Sequence, residues 1–201
     1  VKISTLFEVR DGTHDSPKQV NYGHPLITSK HIHNGQIDFS TAYFISESDY
    51  IKINERSLVE QNDILYSMIG TLGLVYIEEN QSVNYAIKNI GLFKTSQNLV
   101  WKYYVYCWLK SALGIQFIEE NKSGSTQEYI SLGSLRNLTI KCPKVEKLNK
   151  FNIVVKPIFQ KINTNKIQIQ TLQSQRDTLL PKLISGEVRL KGFGSRVLSL
   201  R

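Results

Sequence analysis

The sequence has few cysteines and no long apolar run. Only Cys107 and Cys142 occur among its 201 residues, which gives neither a disulfide framework nor a CxxC pair. No stretch approaches the roughly 20 consecutive apolar residues that a membrane-spanning helix needs, and the first residues lack the apolar core and cleavage site of a secretory signal. We therefore expect a cytoplasmic protein that binds no membrane, in which both thiols are reduced and structural.

The motifs of common enzyme classes are also missing. The sequence contains no GxxxxGK[ST] phosphate loop, no GxGxxG, no GxSxG and no HExxH. His31 and His33 alternate as residues on one side of a strand do. No nearby cysteine or carboxylate completes a metal site, so we interpret them as exposed or hydrogen-bonded loop histidines. We expect no cofactor and no metal. The adjacent carboxylates Glu78 and Glu79 are interpreted as a solvated strand end.

Positive charge is what the sequence has in excess. It carries 25 Lys and Arg against 17 Asp and Glu, a formal charge of +8 with a pI near 9.4. Cations that neutralise phosphates release condensed counterions, so this charge favours an anionic partner, and double-stranded DNA is the first candidate. Charge alone does not decide, because many basic proteins carry their excess on a solvated surface.

Residues 1–143 have the pattern of a strand-rich mixed α/β domain. Glycines separate β-branched and aromatic runs, and the best strand candidates are Ile64–Ile69, Leu72–Ile77 and Ala86–Phe93. Gly70-Thr71 is predicted as a tight turn between the first two. In Val100–Ile118 the apolar positions recur every three or four residues, which predicts the main helix of the domain, interrupted near Gly114.

Residues 144–188 change to a coiled-coil period, which predicts one long helical arm and, with the first region, an α+β fold. The apolar seam has alternating spacings of three and four and includes two polar positions that would fix the register. Its residues are Ile158, Ile162, Asn165, Ile169, Leu172, Arg176, Leu179 and Leu183. Pro157 is expected to kink the arm or to start a fresh helix, and Ser185-Gly186 to end it. Residues 189–201 are predicted to be a loosely ordered tail.

The seam of this arm needs a partner. A helix from Pro157 to Ile184 would be on the order of 40 Å long, and only another long helix can cover its seam. We expect that helix to come from a second copy, which gives a homodimer, or from a different subunit. The alternative is an antiparallel hairpin with Val145–Lys156, although this segment is less than half as long as the arm.

Polar loops at 10–18, 69–73 and 121–127 are suited to contact DNA. They offer backbone N–H groups and hydroxyls, and two of them carry a nearby cation. His14 and Gln127 are candidate readers of base edges, whereas Lys18, Lys30 and Lys122 are candidate phosphate contacts. The full set of candidate DNA-binding residues is Thr13, His14, Lys18, Ser29, Lys30, Thr71, Lys122, Ser123, Gly124, Ser125, Thr126 and Gln127. The alternative for each single loop is that it is only a turn.

The order and spacing of these segments resemble the specificity subunits of Type I restriction-modification systems, in a form with one target recognition domain and one conserved helical region. The matching stretches are DGTHDSP (11–17), PLITSKHIHNGQID (25–38), NDILYSMIGTLG (62–73), SGSTQEYISLGSLRNLTIKCP (123–143) and KPIFQKINTNKIQIQTLQSQRDTLLPKLISGEV (156–188). They cover nearly the whole chain. The SGSTQ run before a strand ending in proline and the RDTLLPKLISGE helix end are the most specific.

The resemblance implies a non-catalytic protein that recognises one half of a bipartite DNA target through residues 1–143. The arm would then act as a spacer and as a docking site for a methyltransferase subunit and, through it, a restriction subunit. Family members commonly have Gly where Asn62 stands, but Asn tolerates a left-handed backbone, so the loop is expected to survive. They also carry two recognition domains and two helices. The chain therefore resembles half a subunit, which either pairs with a second copy through antiparallel helices or is a piece of a longer chain.

Two other functions remain open from the sequence. Glu120 and Lys122 have the ExK spacing of many metal-dependent nucleases, although no suitably placed Asp precedes them. Alternatively, the arm could make the protein a coiled-coil interaction scaffold whose loops touch no DNA.

Overall fold

The computed structural model describes residues 1–188, so the predicted tail at 189–201 lies outside the described residues. The chain forms two compact units, Val1–Val155 and Lys156–Arg201, and each is described by itself. Within the described residues there are nine strands: β1 (Val9–Asp11), β2 (His24–Ile27), β3 (Ile32–His33), β4 (Gln36–Ile37), β5 (Phe44–Ile45), β6 (Ile64–Ser67), β7 (Val75–Ile77), β8 (Ala86–Ile87) and β9 (Ile90–Phe93). The same residues form five α-helices: α1 (Glu47–Ser57), α2 (Lys102–Leu109), α3 (Ala112–Asn121), α4 (Leu132–Asn137) and α5 (Val145–Ile184). Short 3₁₀ turns occupy Ile3–Thr5, Ser29–His31, Thr95–Gln97 and Leu99–Trp101. A strand-rich mixed region followed by a long helix confirms the predicted α+β class.

The larger sheet carries the core of the first unit. Its order is β1-β9-β6-β7, and every pairing is antiparallel. The central strands β6 and β9 are buried along their whole length, as expected for short continuous apolar runs that have no solvated face. Leu65 pairs with Leu92, and Ile64 pairs with Phe93. The predicted strand run at 64–69 and the second half of the run at 86–93 thus form the centre of the sheet.

A smaller sheet has the order β5-β2-β8, in which β2 runs antiparallel to β5 and parallel to β8. Leu26 and Ile27 of β2 are fully buried. Helix α1 contacts β8 and β1, and it begins at Ser46, whose hydroxyl oxygen accepts the N–H of Asp49 at 3.1 Å. Strands β3 and β4 form a hairpin closed by Asn34-Gly35, and both residues have the positive φ that such a turn requires.

The predicted strand Ala86–Phe93 is in fact two strands that belong to different sheets. β8 ends at Ile87 and β9 begins at Ile90, and Lys88-Asn89 lies between them. Asn89 has φ of +54°, a left-handed conformation that interrupts any strand. The prediction of one continuous strand is therefore wrong, because two polar residues in the middle of the apolar run turn the chain from one sheet to the other.

The predicted tight turn at Gly70-Thr71 is also wrong. β6 ends at Ser67 and β7 resumes at Val75, so the connection is longer. Its first residues pair with a distant segment instead: Ile69 bridges Tyr129, and the N–H of Ile130 donates to the carbonyl of Met68 at 2.9 Å. The loop is a docking place for the 128–130 segment and not a simple hairpin turn.

The predicted helix Val100–Ile118 is divided earlier than expected. α2 ends at Leu109 and α3 begins after Ser111, whose side chain accepts the N–H of Gly114. Gly114 itself lies inside α3. A Cβ at this position would lie 2.2 Å from the carbonyl oxygen of Leu109, so glycine allows the second helix to start close against the end of the first. The break between α2 and α3 therefore lies at the cap residue Ser111 and not at Gly114.

Helix α5 runs through Pro157 without a break, so the expected fresh start at that residue is wrong. The same continuity excludes the hairpin alternative, because Val145–Lys156 belongs to the arm's own helix. Within the first unit, Leu148 is 1% exposed and the Asn152 amide donates to the carbonyl of Val100 at 2.8 Å. The ring of Phe151 meets Tyr104 edge-on at 6.1 Å. The opening turns of α5 are therefore part of the core of the first unit.

The second unit, over its described residues 156–188, is helical and apolar on one side. The helix ends at Ile184 and Gly186 has φ of +76°, which confirms the predicted stop at Ser185-Gly186. All six apolar residues of the predicted seam are exposed, at 37–63%. They are Ile158, Ile162, Ile169, Leu172, Leu179 and Leu183. A helix is confirmed here, whereas its pairing as a coiled coil stays a prediction.

Buried polar groups in the first unit are tied into networks. Lys94 and Asp63 are fully buried and paired, and the ammonium group of Lys94 also lies 2.7 Å from Glu60. Asn62 has φ of +77°, as predicted for a residue that replaces glycine. Glu78 is fully buried, so its interpretation as solvated is wrong: it accepts hydrogen bonds from the hydroxyl of Tyr85 at 2.7 Å and from the N–H of Asn80 at 2.8 Å. Burial, followed by the charge of Glu78, raises the pKa of Tyr85.

The two cysteines lie at the surface. Cys107 and Cys142 are free and both are exposed, whereas structural thiols were expected. Among residues 1–188, no helix combines the length and the apolarity needed to cross a bilayer.

Candidate nucleic-acid interface

Four loops of the first unit meet around an open cleft of about 390 Å³, which we call the loop cleft. Its walls come from the turn after β2, the loop after β6, the break between β8 and β9, and the hairpin after α3. The lining residues are Thr28, Ser29, Lys30, Ile69, Gly70, Thr71, Asn89 and Gln127. Four of them, Ser29, Lys30, Thr71 and Gln127, were predicted to bind DNA from the sequence. The structure therefore brings together residues that lie almost 100 positions apart.

Beside the loop cleft, the backbone of the segment after β1 approaches the backbone around the β8–β9 break closely. The N–H of Thr13 donates to the carbonyl of Ile87 at 3.0 Å, and the carbonyl of Thr13 accepts the N–H of Asn89 at 3.1 Å. This approach requires Gly12, because a Cβ there would lie 2.3 Å from the carbonyl oxygen of Ile87. The DGTH segment is thus fixed against the β8–β9 break, and Thr13 lies next to the cleft without lining it.

His14 is held from both sides of its ring. Nδ1 lies 2.7 Å from the side-chain oxygen of Asn89, and Nε2 lies 2.9 Å from a carboxylate oxygen of Asp11. Asp11 is 2% exposed and also pairs with Arg56. The imidazole is still largely exposed, with 60% of its side-chain surface accessible. Contacts within the chain at both nitrogens hold the ring in one orientation, and the role of His14 as a reader of base edges stays a prediction.

The turn that carries Ser29 and Lys30 is stabilised by His31. The N–H of Thr28 donates to Nδ1 of His31 at 2.9 Å, and His31 is only 1% exposed. Burial lowers the pKa of His31, with a further contribution from the charge of Lys30. Neutral His31 thus acts as an internal support, whereas His33 is exposed. The interpretation of His31 as a hydrogen-bonded histidine is confirmed, and no group of three His, Cys, Asp or Glu residues in the described chain is arranged to hold a metal ion.

The chemistry of the loop cleft is that of a polar, cationic surface. Of the described residues that line it, none is acidic. Lys30 is exposed and pairs with no carboxylate among residues 1–188. The hydroxyl of Ser29 is buried and has no hydrogen-bond partner among the described residues. The amides of Gln127 and Asn89 can each donate and accept, which is what base edges demand.

The hairpin after α3 carries the remaining predicted residues. Ser123 and Tyr129 exchange two backbone hydrogen bonds of 2.9 Å, and Gly124 turns the chain with φ of +94°. Ser125 and Thr126 are exposed at the tip. This short pairing places Gln127 at the loop cleft.

Lys122 and Lys18, which were predicted to contact phosphates, have different surroundings in the structure. The ammonium group of Lys122 lies 2.9 Å from Glu119 and 3.0 Å from Glu128, and these bonds raise its pKa. Its charge is therefore compensated within the chain, which also gives the nuclease alternative at Glu120 and Lys122 no support. Lys18 is exposed but lies away from the lining of the cleft. Both roles stay predictions.

Sequence reasoning missed Asn89, which lines the cleft and also contacts His14. The signal was present, because Lys88-Asn89 is a polar pair inside an otherwise apolar run. Thr28 and Ile69 were missed as well, although each is adjacent to a predicted residue or loop.

Comparison with known proteins gives three findings that agree on one family. Residues 1–174 match the family described as the Type I restriction modification DNA specificity domain. The Type I restriction enzyme MjaIX specificity subunit of Methanocaldococcus jannaschii is 28% identical over an alignment of 204 positions, gaps included, which covers 94% of this chain and 44% of that protein. The Type I restriction enzyme EcoBI specificity subunit of Escherichia coli is 20% identical over 168 residues, which cover 83% of this chain and 35% of that protein.

A solved structure shares the fold. The S subunit of a Type I restriction-modification system from M. genitalium superposes with a TM-score of 0.58 at 16% identity, over 92% of this chain and 45% of that one. The chain thus spans less than half the length of the relatives that it matches.

Proposed function

The chain belongs to the family of Type I restriction modification DNA specificity domains, and on that basis we propose that it is a non-catalytic module that recognises one half of a bipartite DNA target. The first unit would hold the reading surface, and residues 144–188 would form a spacer. In this proposal the chemistry belongs to partner subunits: a methyltransferase that docks on the helix and, through it, a restriction subunit.

The observation that carries the proposal is the loop cleft. Residues from four separate loops converge there, and they combine amide side chains, hydroxyls and an unpaired ammonium group with no acidic neighbour in the lining. Gln127 and Asn89 have the donor and acceptor pairs needed to read a base edge, most readily that of adenine. The exposed ammonium group of Lys30 is suited to phosphate oxygens. Recognition of DNA bases and contact with the DNA backbone thus have separate candidate residues.

The exposed seam of α5 supports the second part of the proposal. A homodimer in which two helices pack antiparallel through this seam would place two recognition units about a two-fold axis, at a separation set by the helix. Such an assembly would favour a palindromic target with an unread spacer. Asn165 and Arg176 in the seam would fix the register.

The test is DNA-target selection by the purified protein, alone and with its methyltransferase partner. We expect recovery of a DNA motif with two short conserved segments and a fixed unread spacer, bound with an affinity that falls steeply as salt rises. Equal affinity for all duplexes in the presence of the partner would overturn the proposal.

Charge reversal at Lys18, Lys30 and Lys122 separates a DNA reader from a scaffold. A reader should lose affinity across all DNA sequences when these lysines become glutamates, whereas a scaffold should keep its partner binding and lose nothing else. Reversal at the exposed Lys141, which lies outside the loop cleft and outside the helix proposed to bind the methyltransferase, is the control.

A further inference from the structure

A second cleft of the first unit, beside β1, is rich in arginine. Arg10, Arg56 and Arg136 line this space of about 500 Å³ together with Ser4, Glu8 and Val9. We propose that this arginine cleft binds one phosphodiester group of the DNA backbone, outside the loop cleft. The proposal deepens the function proposed above and rests on it.

The charge of the arginine cleft matches a monoanion. Arg10 pairs with Glu8, and Arg56 pairs with the buried Asp11. Arg136 uses its Nε–H to donate to the carbonyl of Val9 at 2.9 Å, and no carboxylate among the described residues pairs with it. One positive charge is therefore left uncompensated. A phosphodiester carries one negative charge, so it balances the site, whereas a dianionic phosphate monoester would leave a surplus.

The donor groups of the arginine cleft are already in place. Each guanidinium has five N–H donors, and each of the three spends only part of them on the protein. The three side chains come from β1, α1 and α4, and the backbone carbonyl of Arg56 accepts a hydrogen bond from Arg10 at 3.3 Å. Contacts between α4 and β1 hold the arrangement. A planar guanidinium with two free Nη groups, as in Arg136, is the side chain best suited to two oxygens of one phosphate.

The segment Arg10–His14 leads from the arginine cleft to a side chain that contacts Asn89 of the loop cleft. Arg56 also lines the neighbouring space that contains Thr13, Ser16 and Lys52. Thr13 precedes His14, whose ring contacts Asn89 in the loop cleft. Along an extended backbone, Arg10 and Thr13 are about 10 Å apart, which is roughly three base-pair steps of one strand. In this proposal, a duplex whose bases meet the loop cleft has one of its backbone phosphates at Arg136.

The experiment measures binding of a mixed-sequence DNA duplex to the full chain over a range of salt concentrations, for the wild type, Arg136→Gln, Arg136→Lys and the control Lys147→Gln. Loss of one phosphate contact should reduce the slope of log affinity against log salt by about 0.9, and lower the affinity about three- to tenfold near 0.1 M salt. Among the variants, we expect the reduced slope and the lower affinity only for Arg136→Gln. Arg136→Lys should keep the slope because it keeps the charge, and Lys147→Gln should match the wild type.

The outcomes are distinguishable. If the wild type shows no salt-dependent DNA binding, the proposed function itself fails. If the wild type binds and Arg136→Gln has an unchanged slope, only the arginine cleft is overturned, and the same holds if this variant changes the sequence preference and not the slope. Thermal unfolding of each variant shows whether a loss of DNA affinity comes from unfolding. If Arg136→Gln is unfolded, Arg136→Lys tests the proposal, because a retained salt slope in this folded variant supports the charge contact.

Discussion

At the scale of single residues, the segment from Asp11 to His14 joins structure to the proposed function. Asp11 is buried, yet it holds Arg56 of the arginine cleft on one side and His14 on the other. Gly12 lets the segment approach β8, and His14 contacts Asn89. Positions in this segment therefore affect both the stability of the unit and the orientation of its candidate DNA contacts.

Substitution of Gly12 tests that close approach. Gly12→Ala should lower the free energy of unfolding by about 1–3 kcal/mol, because the new methyl group collides with the backbone of Ile87, which cannot move aside. Gly133→Ala in α4 is the control: its nearest contact would be Ser131 at 3.6 Å, and alanine favours the helix by about 0.5–1 kcal/mol. Urea unfolding measures both. Equal stability of Gly12→Ala and wild type would contradict the packing described here.

A pH titration tests the support that His31 gives to the Ser29–Lys30 turn. Burial lowers the pKa of His31 in the folded chain, so below about pH 6.5 the unfolded chain binds more protons than the folded one. Stability should therefore fall as the pH drops from 7.5 through 6.5 and below. The neighbouring charges act in opposite directions, since Lys30 lowers this pKa and Asp38 raises it.

His31→Gln should be less stable than wild type at pH 7.5, but its stability should depend less on pH in this window. His33→Gln changes an exposed residue and should leave the acid dependence as it is in the wild type. Melting temperatures recorded at several pH values measure this dependence. If His31→Gln loses as much stability in acid as the wild type does, other groups cause the effect.

At the scale of elements, local contacts define some strands and helices, and distant contacts define others. The apolar runs of β6 and β9 and the end of α5 at Ser185-Gly186 were predictable, because burial and backbone preference act locally there. The loop after β6 was not, since its partner at 128–130 is about 60 residues away. The same holds for the cleft, where Lys30 and Gln127 were identified as candidates but their meeting with Asn89 was not.

The continuity of α5 through Pro157 has a local physical explanation. Proline cannot donate a hydrogen bond, so the carbonyl of Ile153 loses its helical partner. Ile153 is 73% exposed, so this turn of the helix lies at the surface. A sequence pattern shows the proline but not the solvent around it, which is why a kink or a fresh helix start was expected at this position.

Substitutions at the loop cleft should separate base reading from phosphate contact. Asn89→Ala should lower the affinity for the selected target by about 1–3 kcal/mol and relax one base position, with little change in the salt dependence. Lys30→Gln should weaken binding to all sequences and reduce the salt slope by about one. Competition binding with single-base variants of the target measures both effects. A uniform loss across sequences for Asn89→Ala would remove it from the reading residues.

At the scale of the whole molecule, the exposed seam predicts self-association. Leu172→Glu should lower the dimer affinity by about 2 kcal/mol or more, because it places a charge in an apolar helix interface. Gln170→Glu lies outside the predicted seam and is the matched control. Sedimentation equilibrium gives the masses. A wild-type chain that stays monomeric at every concentration would contradict the homodimer and leave a different subunit as the partner of α5.

If this chain determines which DNA sequence a partner methyltransferase modifies, a map of methylated bases across the native host genome will show it. We expect a bipartite methylated motif that disappears when the gene is deleted. That motif should return with the wild-type gene, and with Asn89→Ala at least one of its base positions should be relaxed. A methylation pattern that is unchanged by the deletion would contradict the account.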